Sequence, residues 1–547
     1  MTQRALSNQH RDTMRTLLAL SLAVLVLVAG CSRGKYSSNL KHPDHVLVYP
    51  MPNNPTKLDP ATVEDGDTLE VLTQVFEGLV EYNEQNELVG NLAESWDVSD
   101  DGLTYTFHLK KGVKFHSGRE MTAEDVKFSW DRAATPSILS PTAEGYMADI
   151  VGFDECWHGQ AQGLSGVKVV DPYTIQVQIK EPKAYWPMYL QYACYFVVDK
   201  DVVGMEPIES AERMVGTGPF TVKEVRADQQ VVLERFNDYH KGAPKLERII
   251  RLIVQDPNTR RSLYENGEVD WVQLERQDKQ YVDQHPEFKN QLHIIDRPAI
   301  WYLGFSVKML EPFKDARVRK AFAMAIDKDR IINEGFDGIN QRADGIIPPG
   351  IPGHDPNFKG IPYDPAQAKR LLAEAGYPDP SKFPTVPLYY RADRADPRIV
   401  AQHVQQDLQK NLGINVELRP MEWKALLEKR NKGELEFFHL RWHADYLDPQ
   451  NFLSFMLHTN ARENTLGYSN PEFDRLCDMA DRMPLSRNEE RFKLYREAER
   501  IAVVEDAIWI PIYFQRDLEL LRPEVTGIRR SLMGPLPHTQ TDVVRSK

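Results

Sequence analysis

The sequence predicts an α/β fold that comprises more than one lobe. The first observation is length, because 547 residues exceed what one hydrophobic core ordinarily organises, and roughly two to four lobes are expected. The second is composition, since 41% hydrophobic and 27% charged residues are typical of a soluble globular chain. The third is the pattern of the second half, where apolar residues at helical spacing alternate with short runs at strand spacing.

The first 30 residues have the pattern of a secretory signal. Three arginines precede the apolar run Leu17–Val28, which is shorter than the roughly 20 apolar residues that span a bilayer. The small residues of "VAGC" then lead to Cys31, as in a bacterial lipoprotein signal, where the cysteine receives lipid and becomes the first mature residue. A plain signal peptide or a retained membrane anchor is the alternative. Residues 31–45 are polar, and we interpret them as a tether.

The elements that follow are predicted from local patterns. "HVLVYPM", His45–Met51, has the apolar character of a strand. Thr68–Tyr82 carries apolar residues at helical spacing and predicts a helix. Thr122 with Asp125 three residues later resembles a capping box and predicts a helix start. "GTGPF", Gly216–Phe220, predicts a glycine turn that leads into a strand.

Charge and motifs exclude several classes of function. The net charge of −13 argues against nucleic acid as a partner, because phosphate binding requires clustered Lys and Arg. The sequence contains no GxSxG, Walker A or HExxH motif, and no GxGxxG that opens a helix. We therefore do not expect an enzyme, a resident cofactor or a nucleic-acid-binding protein.

Cysteines and histidines give weak signals. Beyond the lipid-receiving cysteine only Cys156, Cys194 and Cys477 remain, so at most one disulfide can form, and proximity in sequence favours Cys156 with Cys194. None of them has metal-site spacing. His439 and His443 would share one face of a strand, which leaves a metal pair open, although an ordinary pair of histidines is the default.

The stretch "HLRWHADYLDPQNF", His439–Phe452, is the main candidate for a binding or catalytic motif. Asp445 lies between Trp442 and Tyr446, and Asp448 precedes a proline. Such an acid could bind a metal, transfer a proton or pair with a cation of a ligand. Catalytic carboxylates need a defined separation across a cleft, which two acids three residues apart do not ensure. Asp448 before proline is typical of a turn.

Several segments together resemble one family. They are "LDPATVEDGD", "VFEGLVEYN", "FSWDR", "GTGPF", "LYENGEVD", "YDPAQAKRLLAEAGY" and "ADYLDPQNFL". They are similar to the peptide-binding class of extracellular solute-binding proteins, family 5, the receptors of ABC importers, and most similar to the oligopeptide-binding branch. The likeness runs from about residue 46 to residue 515 in matching order.

The resemblance implies a periplasmic-binding-protein-like fold (type II, cluster C) with two hinged lobes and an extra inserted lobe. The implied boundaries are 1–30 for the lipoprotein signal peptide, 31–45 for the tether, 46–65 with 210–300 and 501–547 for lobe one, 66–209 for the inserted lobe two, and 301–500 for lobe three.

The resemblance also implies a function. The chain would be a lipid-anchored receptor in the periplasm or cell envelope. It would capture short peptides by hinge closure and deliver them to an ABC permease in the inner membrane, which works with its ATPase. Family membership does not fix the ligand, so a metal chelate, haem, glutathione or an oligosaccharide is the alternative.

Residue roles carried over from the family centre on Asp445, which would pair with the α-ammonium of a peptide. The alternative is that Asp445 only caps a turn. Trp442 and Trp423 match positions that line side-chain pockets, where aromatic walls bind varied side chains through contact area. Packing in the core is the alternative for both tryptophans.

Other family positions match less closely. Arg430, Glu64 and Tyr146 correspond to cleft residues, with a solvated or structural side chain as the alternative. His439 stands where the oligopeptide binders have an arginine that helps hold the peptide carboxylate. Arg441, two residues later on the same strand face, could replace that charge or fill the space of the peptide.

Overall fold

The computed structural model describes residues 42–392 and 394–545, apart from the side chain of Leu485. The chain divides into two units, residues 1–43 and residues 44–547, and the description below concerns the second. The predicted signal peptide, Cys31 and most of the predicted tether lie outside the described residues. Within the described residues, no helix is both long enough and apolar enough to cross a membrane.

The strands of the described residues are mostly short, with two long exceptions at 292–305 and 509–521. In chain order they are β1 Val46–Met51, β2 Val80–Tyr82, β3 Leu88–Gly90, β4 Ala93–Val98, β5 Thr104–Leu109, β6 Val167–Asp171, β7 Thr174–Gln178, β8 Phe220–Arg226, β9 Gln230–Arg235, β10 Arg248–Ile253, β11 Trp271–Leu274, β12 Leu292–Phe305, β13 Gln341–Arg342, β14 Val386–Arg391, β15 Val416–Met421, β16 Phe437–His443, β17 Trp509–Leu521, β18 Val525–Thr526, β19 Arg530–Ser531, β20 Gly534–Pro535 and β21 Asp542–Val543.

Apart from the 11-residue helix Ala123–Ala133, the α-helices of ten or more residues in the described chain lie in its second half. In chain order the α-helices are α1 Gly66–Leu72, α2 Ala123–Ala133, α3 Ala143–Met147, α4 Phe153–Trp157, α5 Trp186–Tyr189, α6 Lys200–Val203, α7 Pro257–Glu265, α8 Asp278–Gln284, α9 Pro286–Lys289, α10 Ala316–Ala325, α11 Lys328–Arg330, α12 Pro365–Glu374, α13 Ala395–Leu412, α14 Trp423–Asn431, α15 Ser454–Leu457, α16 Pro471–Asp481 and α17 Asn488–Arg500.

The first sheet joins the start of the folded chain to a distant segment. Its order is β1-β10-β9-β8, and β1 runs parallel to β10 while the other pairs are antiparallel. Every residue of the apolar strand β1 is buried. Such a strand belongs in the interior of a domain. The pairing brings together two of the three segments that we assign to lobe one.

A second sheet forms entirely within the segment assigned to lobe two. Its order is β4-β5-β7-β6, and all its pairs are antiparallel. Alternate residues of β5 are fully buried, as expected for a sheet with one covered face. At the start of α2, the Asp125 carboxylate accepts a hydrogen bond from the Thr122 N–H at 2.9 Å, which confirms the predicted capping box.

The third and largest sheet has the order β11-β17-β12-β16-β14-β15, with β13 paired to β17. Strand β11 pairs with the C-terminal end of β17, and β16 pairs with the C-terminal half of β12. The two long strands, which pair with each other, therefore connect the part of the sheet that holds β11 to the part that holds β16. Their pairing is irregular between Asp296 and Ile300, around Pro298. The predicted boundary between lobes one and three, at 300/301, therefore lies within β12, and the lobe boundaries stay predictions.

Both faces of the third sheet are buried. Ile300 and Tyr302 of β12 pack into a core that includes side chains of α16 and α17. Trp301 and Leu303 pack on the opposite face, in a core that includes side chains of α10, α12 and α13. Alternate side chains of one strand thus enter two helical layers, which is the α/β layering that the sequence pattern predicts.

The predicted helix Thr68–Tyr82 is wrong over its second half. Helix α1 ends at Leu72, and residues 80–82 form a strand. The backbone approaches another segment closely at Gly78, where a Cβ atom would lie only 2.7 Å from the Leu190 carbonyl oxygen. Residues 75, 76 and 79 are buried in core clusters, so their apolar character reflects burial and not helical phase.

The predicted Cys156–Cys194 disulfide is also wrong. Cys156, Cys194 and Cys477 are free and buried. Burial raises the pKa of the Cys194 thiol to about 12, which keeps it protonated and unreactive. Proximity in sequence did not translate into the close Cβ approach that a disulfide requires.

The "GTGPF" turn agrees with the prediction. A Cβ atom on Gly216 would lie 2.2 Å from the Val75 carbonyl oxygen, and one on Gly218 would lie 2.6 Å from that of Gln74. Glycine is therefore required for close approach of two backbones. The turn leads into β8 and holds the segment after α1 in place.

Candidate functional site

A cavity of about 410 Å³ lies beside the third sheet, at the end of β16. Its walls come mainly from residues 63–82, residues 191–196, the end of β16 at residues 443–445, and the tail at residues 531–537. The third sheet thus supplies one wall and the first half of the chain another. A volume in this range is typical of small-molecule sites.

Asp445 reaches the cavity because the chain leaves the sheet directly after β16. The Ala444 N–H donates to the Pro298 carbonyl at 2.8 Å, which ties this segment to β12. The Asp445 N–H donates to Asn451 Oδ1 at 3.1 Å, and Gln191 Nε2 donates to the Asp445 carbonyl at 3.0 Å. Three separate segments therefore fix the backbone of the acid.

The Asp445 carboxylate has no cationic partner within ion-pair distance among the residues that the structure describes. Burial raises its pKa to about 6, and hydrogen bonds with Asn451 and Tyr146 offset part of that rise. Ionised at neutral pH, it is an uncompensated negative charge on the cavity wall. Burying a charge without a partner is costly, and a cation supplied by a ligand would remove that cost.

A group of tyrosines surrounds this acid. Tyr146 stacks on Tyr192, which lines the cavity, with ring centroids 4.0 Å apart. Tyr446, the residue after Asp445, is buried and packs against Tyr185 and Tyr189 with centroid distances of 6.0 and 5.0 Å. The aromatic cluster anchors the "ADY" segment to the segment 185–192 and contributes Tyr192 to the cavity wall.

Glu64 is the second predicted residue that lines the cavity. Its side chain is exposed, and it has no ion-pair or hydrogen-bond partner within the described residues. The structure therefore brings together three of the residues proposed from the sequence, namely Asp445, Tyr146 and Glu64. Two of them carry negative charge, and this part of the wall favours a cationic group.

The two predicted tryptophans lie outside the cavity wall. Trp442 is partly buried on the opposite face of β16 from Arg441, and its indole N–H donates to the Asn451 carbonyl at 2.9 Å. It therefore supports Asn451, which in turn bonds Asp445. Trp423 begins α14, and the Arg391 guanidinium lies 4.5 Å from its ring centroid. Their roles as pocket walls stay predictions.

The three predicted basic residues also lie outside the wall. Arg430 is paired with Glu463, and its Nη2 donates to the Glu463 carbonyl at 3.1 Å. Arg441 is exposed and donates to Gln515 at 3.2 Å. His439 is fully buried against Trp301, and burial lowers its pKa to about 3, so the imidazole is neutral and cannot supply a positive charge.

Asp448 has a structural role. Its Oδ1 accepts from the Gln450 N–H at 2.9 Å and caps the 3₁₀ turn Pro449–Asn451. Both of its oxygens pair with Arg491, at 2.7 and 2.5 Å, and both side chains are fully buried. The acid/base pairing of Asp445 with Asp448 is unsupported, because Asp448 is enclosed away from the cavity.

No group of three or more His, Cys, Asp or Glu in the described parts of the chain is arranged to bind a metal.

Sequence reasoning missed Arg297. It lines the cavity from the irregular part of β12, and its Nε donates to Asp517 at 2.6 Å. The charged pair Asp296 and Arg297 directly before Pro298, followed by the apolar run 299–305, is the signal that could have indicated it, because proline within a strand marks a bulge or an edge.

Comparisons with known proteins agree on one family. The family model of bacterial extracellular solute-binding proteins, family 5 (middle), matches residues 87–464. The dipeptide-binding protein DppE of Bacillus subtilis is 30% identical over 539 residues, which are 95% of this chain and 96% of the relative. Proteins of this class are solute-binding proteins that work outside the cytoplasm.

Two solved structures show the same fold. The murein tripeptide-binding protein MppA, in its unliganded open form, has a TM-score of 0.80 at 26% identity and covers 92% of this chain and 98% of its own. The ABC transporter-associated periplasmic binding protein DppA from Helicobacter pylori, in complex with the peptide STSA, has a TM-score of 0.71 at 26% identity, with 91% and 98% covered. The chain belongs to family 5 of the bacterial extracellular solute-binding proteins.

Proposed function

We propose that this protein captures short peptides in the cavity beside Asp445 and releases them to an ABC permease. The observation that carries the proposal is the uncompensated carboxylate of Asp445 on the cavity wall. A peptide α-ammonium is a cation of the right size and hydrogen-bonding capacity to pair with it. The named peptide-binding relatives support the same ligand class.

The remaining wall suits a peptide of varied sequence. Tyr192, Phe76 and Phe196 offer aromatic surface to side chains, and Asn91 and Gln273 offer amide groups to the backbone. Closure would bend the two long strands β12 and β17, which connect the β11 side of the sheet to the β16 side. We propose that the protein carries out no chemistry on the bound peptide.

A ligand without a cationic group is disfavoured. Haem carries carboxylates but no ammonium, so it would leave the Asp445 carboxylate without a cationic partner. A tripeptide with the architecture of glutathione, which has a free ammonium, is compatible with the wall.

Isothermal titration with Ala-Ala-Ala, N-acetylated Ala-Ala-Ala, maltotriose, haem and Ni²⁺ tests the assignment. We expect heat with free Ala-Ala-Ala and much weaker binding of its acetylated form. Binding of the sugar, haem or the metal without binding of any peptide would contradict the proposal.

The affinity for a free-amine peptide is expected to fall as pH falls through about 6. Burial raises the Asp445 pKa to about 6, so the carboxylate is ionised above that pH and loses its charge below it. The peptide ammonium has an ordinary pKa of about 8 and keeps its proton over this range. Titration of Ala-Ala-Ala between pH 4.5 and 7.5 should show Kd rising by up to about tenfold per pH unit on the acid side.

The matched control for this pH profile is Asp445→Asn, whose weaker binding should not change between pH 5 and 7. A wild-type profile that is flat over the same range would show that Asp445 does not pair with the ligand cation.

We propose that lipid on Cys31 anchors the protein to a membrane of the cell envelope. The support is the arrangement of a short apolar run followed by "VAGC". Replacing Cys31 by Ala should move the protein from the detergent phase to the aqueous phase in Triton X-114 partition and remove the lipid mass from the mature N-terminus. Unchanged partition of the variant would contradict lipid attachment at this residue. Cys477→Ala, which removes a buried thiol, serves as the control.

A further inference from the structure

Arg297 is placed to contact a ligand. It lies in β12 directly before Pro298, where the pairing with β17 is interrupted between Asp296 and Ile300. Such irregularities re-aim a side chain away from the regular strand direction. The guanidinium lines both the main cavity and a smaller adjoining cavity of about 60 Å³.

Only one nitrogen of the Arg297 guanidinium forms a hydrogen bond within the described part of the protein. Its Nε donates to Asp517 Oδ2 at 2.6 Å, and neither Nη atom has a hydrogen-bond acceptor in range among the described residues. Nη1 lies 3.8 Å from the position that a Cβ atom on Gly534 would occupy, and Gly534 also lines the cavity. The two outer N–H groups of an arginine form a fork that matches a carboxylate.

Arg297 and Asp445 leave the sheet at neighbouring positions. Ala299 of β12 lies opposite His443 of β16, and the Ala444 N–H bonds the Pro298 carbonyl at 2.8 Å. The two charged side chains nevertheless do not pair with each other. Asp445 contacts Tyr146 and Asn451, whereas Arg297 contacts Asp517. Two opposite charges are therefore held by adjacent strands and presented separately to one cavity.

We propose that Arg297 binds the carboxylate of the ligand whose ammonium Asp445 binds, so that the site takes zwitterionic peptides of two or three residues. This inference rests on the proposed function and names its substrate class. An extended residue spans at most about 3.6 Å, and anchors on adjacent strands can be bridged only by a short backbone. The cavity of about 410 Å³ is near the lower end of the usual range for ligand sites. Arg441, the candidate from the family resemblance, does not line this cavity.

The test compares Ala-Ala-Ala with its C-terminal amide by isothermal titration. Wild-type protein should bind the free acid about tenfold or more tightly than the amide, because the amide offers no charge to the guanidinium. In Arg297→Gln/Asp517→Asn, which removes both members of the ion pair and leaves no uncompensated acid, the two peptides should bind equally. Arg297→Lys should restore part of the preference, since it keeps the charge but not the fork.

Arg516→Gln/Asp296→Asn is the matched control. This ion pair joins the same two strands at 2.7 Å but does not line the cavity, so the variant should keep the wild-type preference for the free acid. A length series from Ala-Ala to hexa-alanine should show affinity falling by about tenfold or more beyond three residues.

The outcomes separate the two proposals. If wild-type protein binds no peptide, the proposed function fails. If it binds peptides but Arg297→Gln/Asp517→Asn keeps the preference for the free acid, or if hexa-alanine binds as tightly as Ala-Ala-Ala, the role of Arg297 in setting ligand class is overturned while peptide binding stands.

Discussion

Asp445→Asn should weaken binding of free Ala-Ala-Ala by about 30-fold or more while leaving the weaker binding of N-acetylated Ala-Ala-Ala nearly unchanged. Removing one partner of an enclosed, hydrogen-bonded charge pair ordinarily costs about 2–5 kcal/mol, and 1.4 kcal/mol is a factor of ten in Kd. Asn keeps the size of the side chain and its bond with Asn451, so the change isolates the charge. Isothermal titration at pH 7.5 measures both peptides.

Asp97→Asn is the control for this experiment. Asp97 is an exposed acid on β4 that pairs with His108 and does not line the cavity, so neither peptide should change affinity. An equal loss of both peptides in Asp445→Asn would mean that Asp445 shapes the cavity and does not pair with the ammonium. Retention of full affinity for the free peptide would remove the observation on which the proposed function rests.

Local signals predicted much of the fold. The capping box at Thr122, the glycine turn at Gly216 and the apolar strand β1 each depend on residues close in sequence, and each occurs as predicted. The predicted helix Thr68–Tyr82 is wrong over its second half because its apolar residues are buried in three different core clusters. The spacing of apolar residues shows which residues are buried, and a helical spacing also arises when a short helix is followed by an irregular segment that packs into a core.

The site was less predictable because its wall is assembled from distant segments. Asp445 and Glu64 lie far apart in sequence, and only packing brings them to one cavity. Strand alternation does place Trp442 and Arg441 on opposite faces of β16. Alternation does not predict which face of the sheet packs against the tail at residues 531–537. It also does not predict the position of Arg297, because that position depends on the irregular pairing of β12 with β17.

Asp448 and Asp445 are three residues apart and should respond to substitution in opposite ways. Arg491→Met is expected to destabilise the fold by about 3–5 kcal/mol, because it leaves the fully buried Asp448 carboxylate without its cation. Asp448→Asn should cost a similar amount. Asp445→Asn should instead stabilise the unliganded protein at pH 8 by about 1–2 kcal/mol, since burial raises its pKa and the ionised form is disfavoured in the fold.

Urea denaturation at pH 8 measures these shifts, and Arg475→Met is the control. Arg475 pairs with Glu472 on the exposed face of α16, and such a pair contributes at most about 1 kcal/mol. Asp448→Asn/Arg491→Met should recover part of the loss of either single variant, because the uncompensated charge is removed. A double variant that is as unstable as the sum of the singles would show that the two side chains act independently.

Binding and stability together should separate the two acids. Asp448 caps the turn that carries Asn451, and Asn451 holds the Asp445 backbone. Loosening this turn displaces Asp445, so Asp448→Asn should weaken free Ala-Ala-Ala more than its N-acetylated form, and it should do so together with the loss of stability that Asp445→Asn lacks. A selective loss of the free peptide without any loss of stability would place the Asp448 charge in the ligand site and contradict its assignment to the buried ion pair.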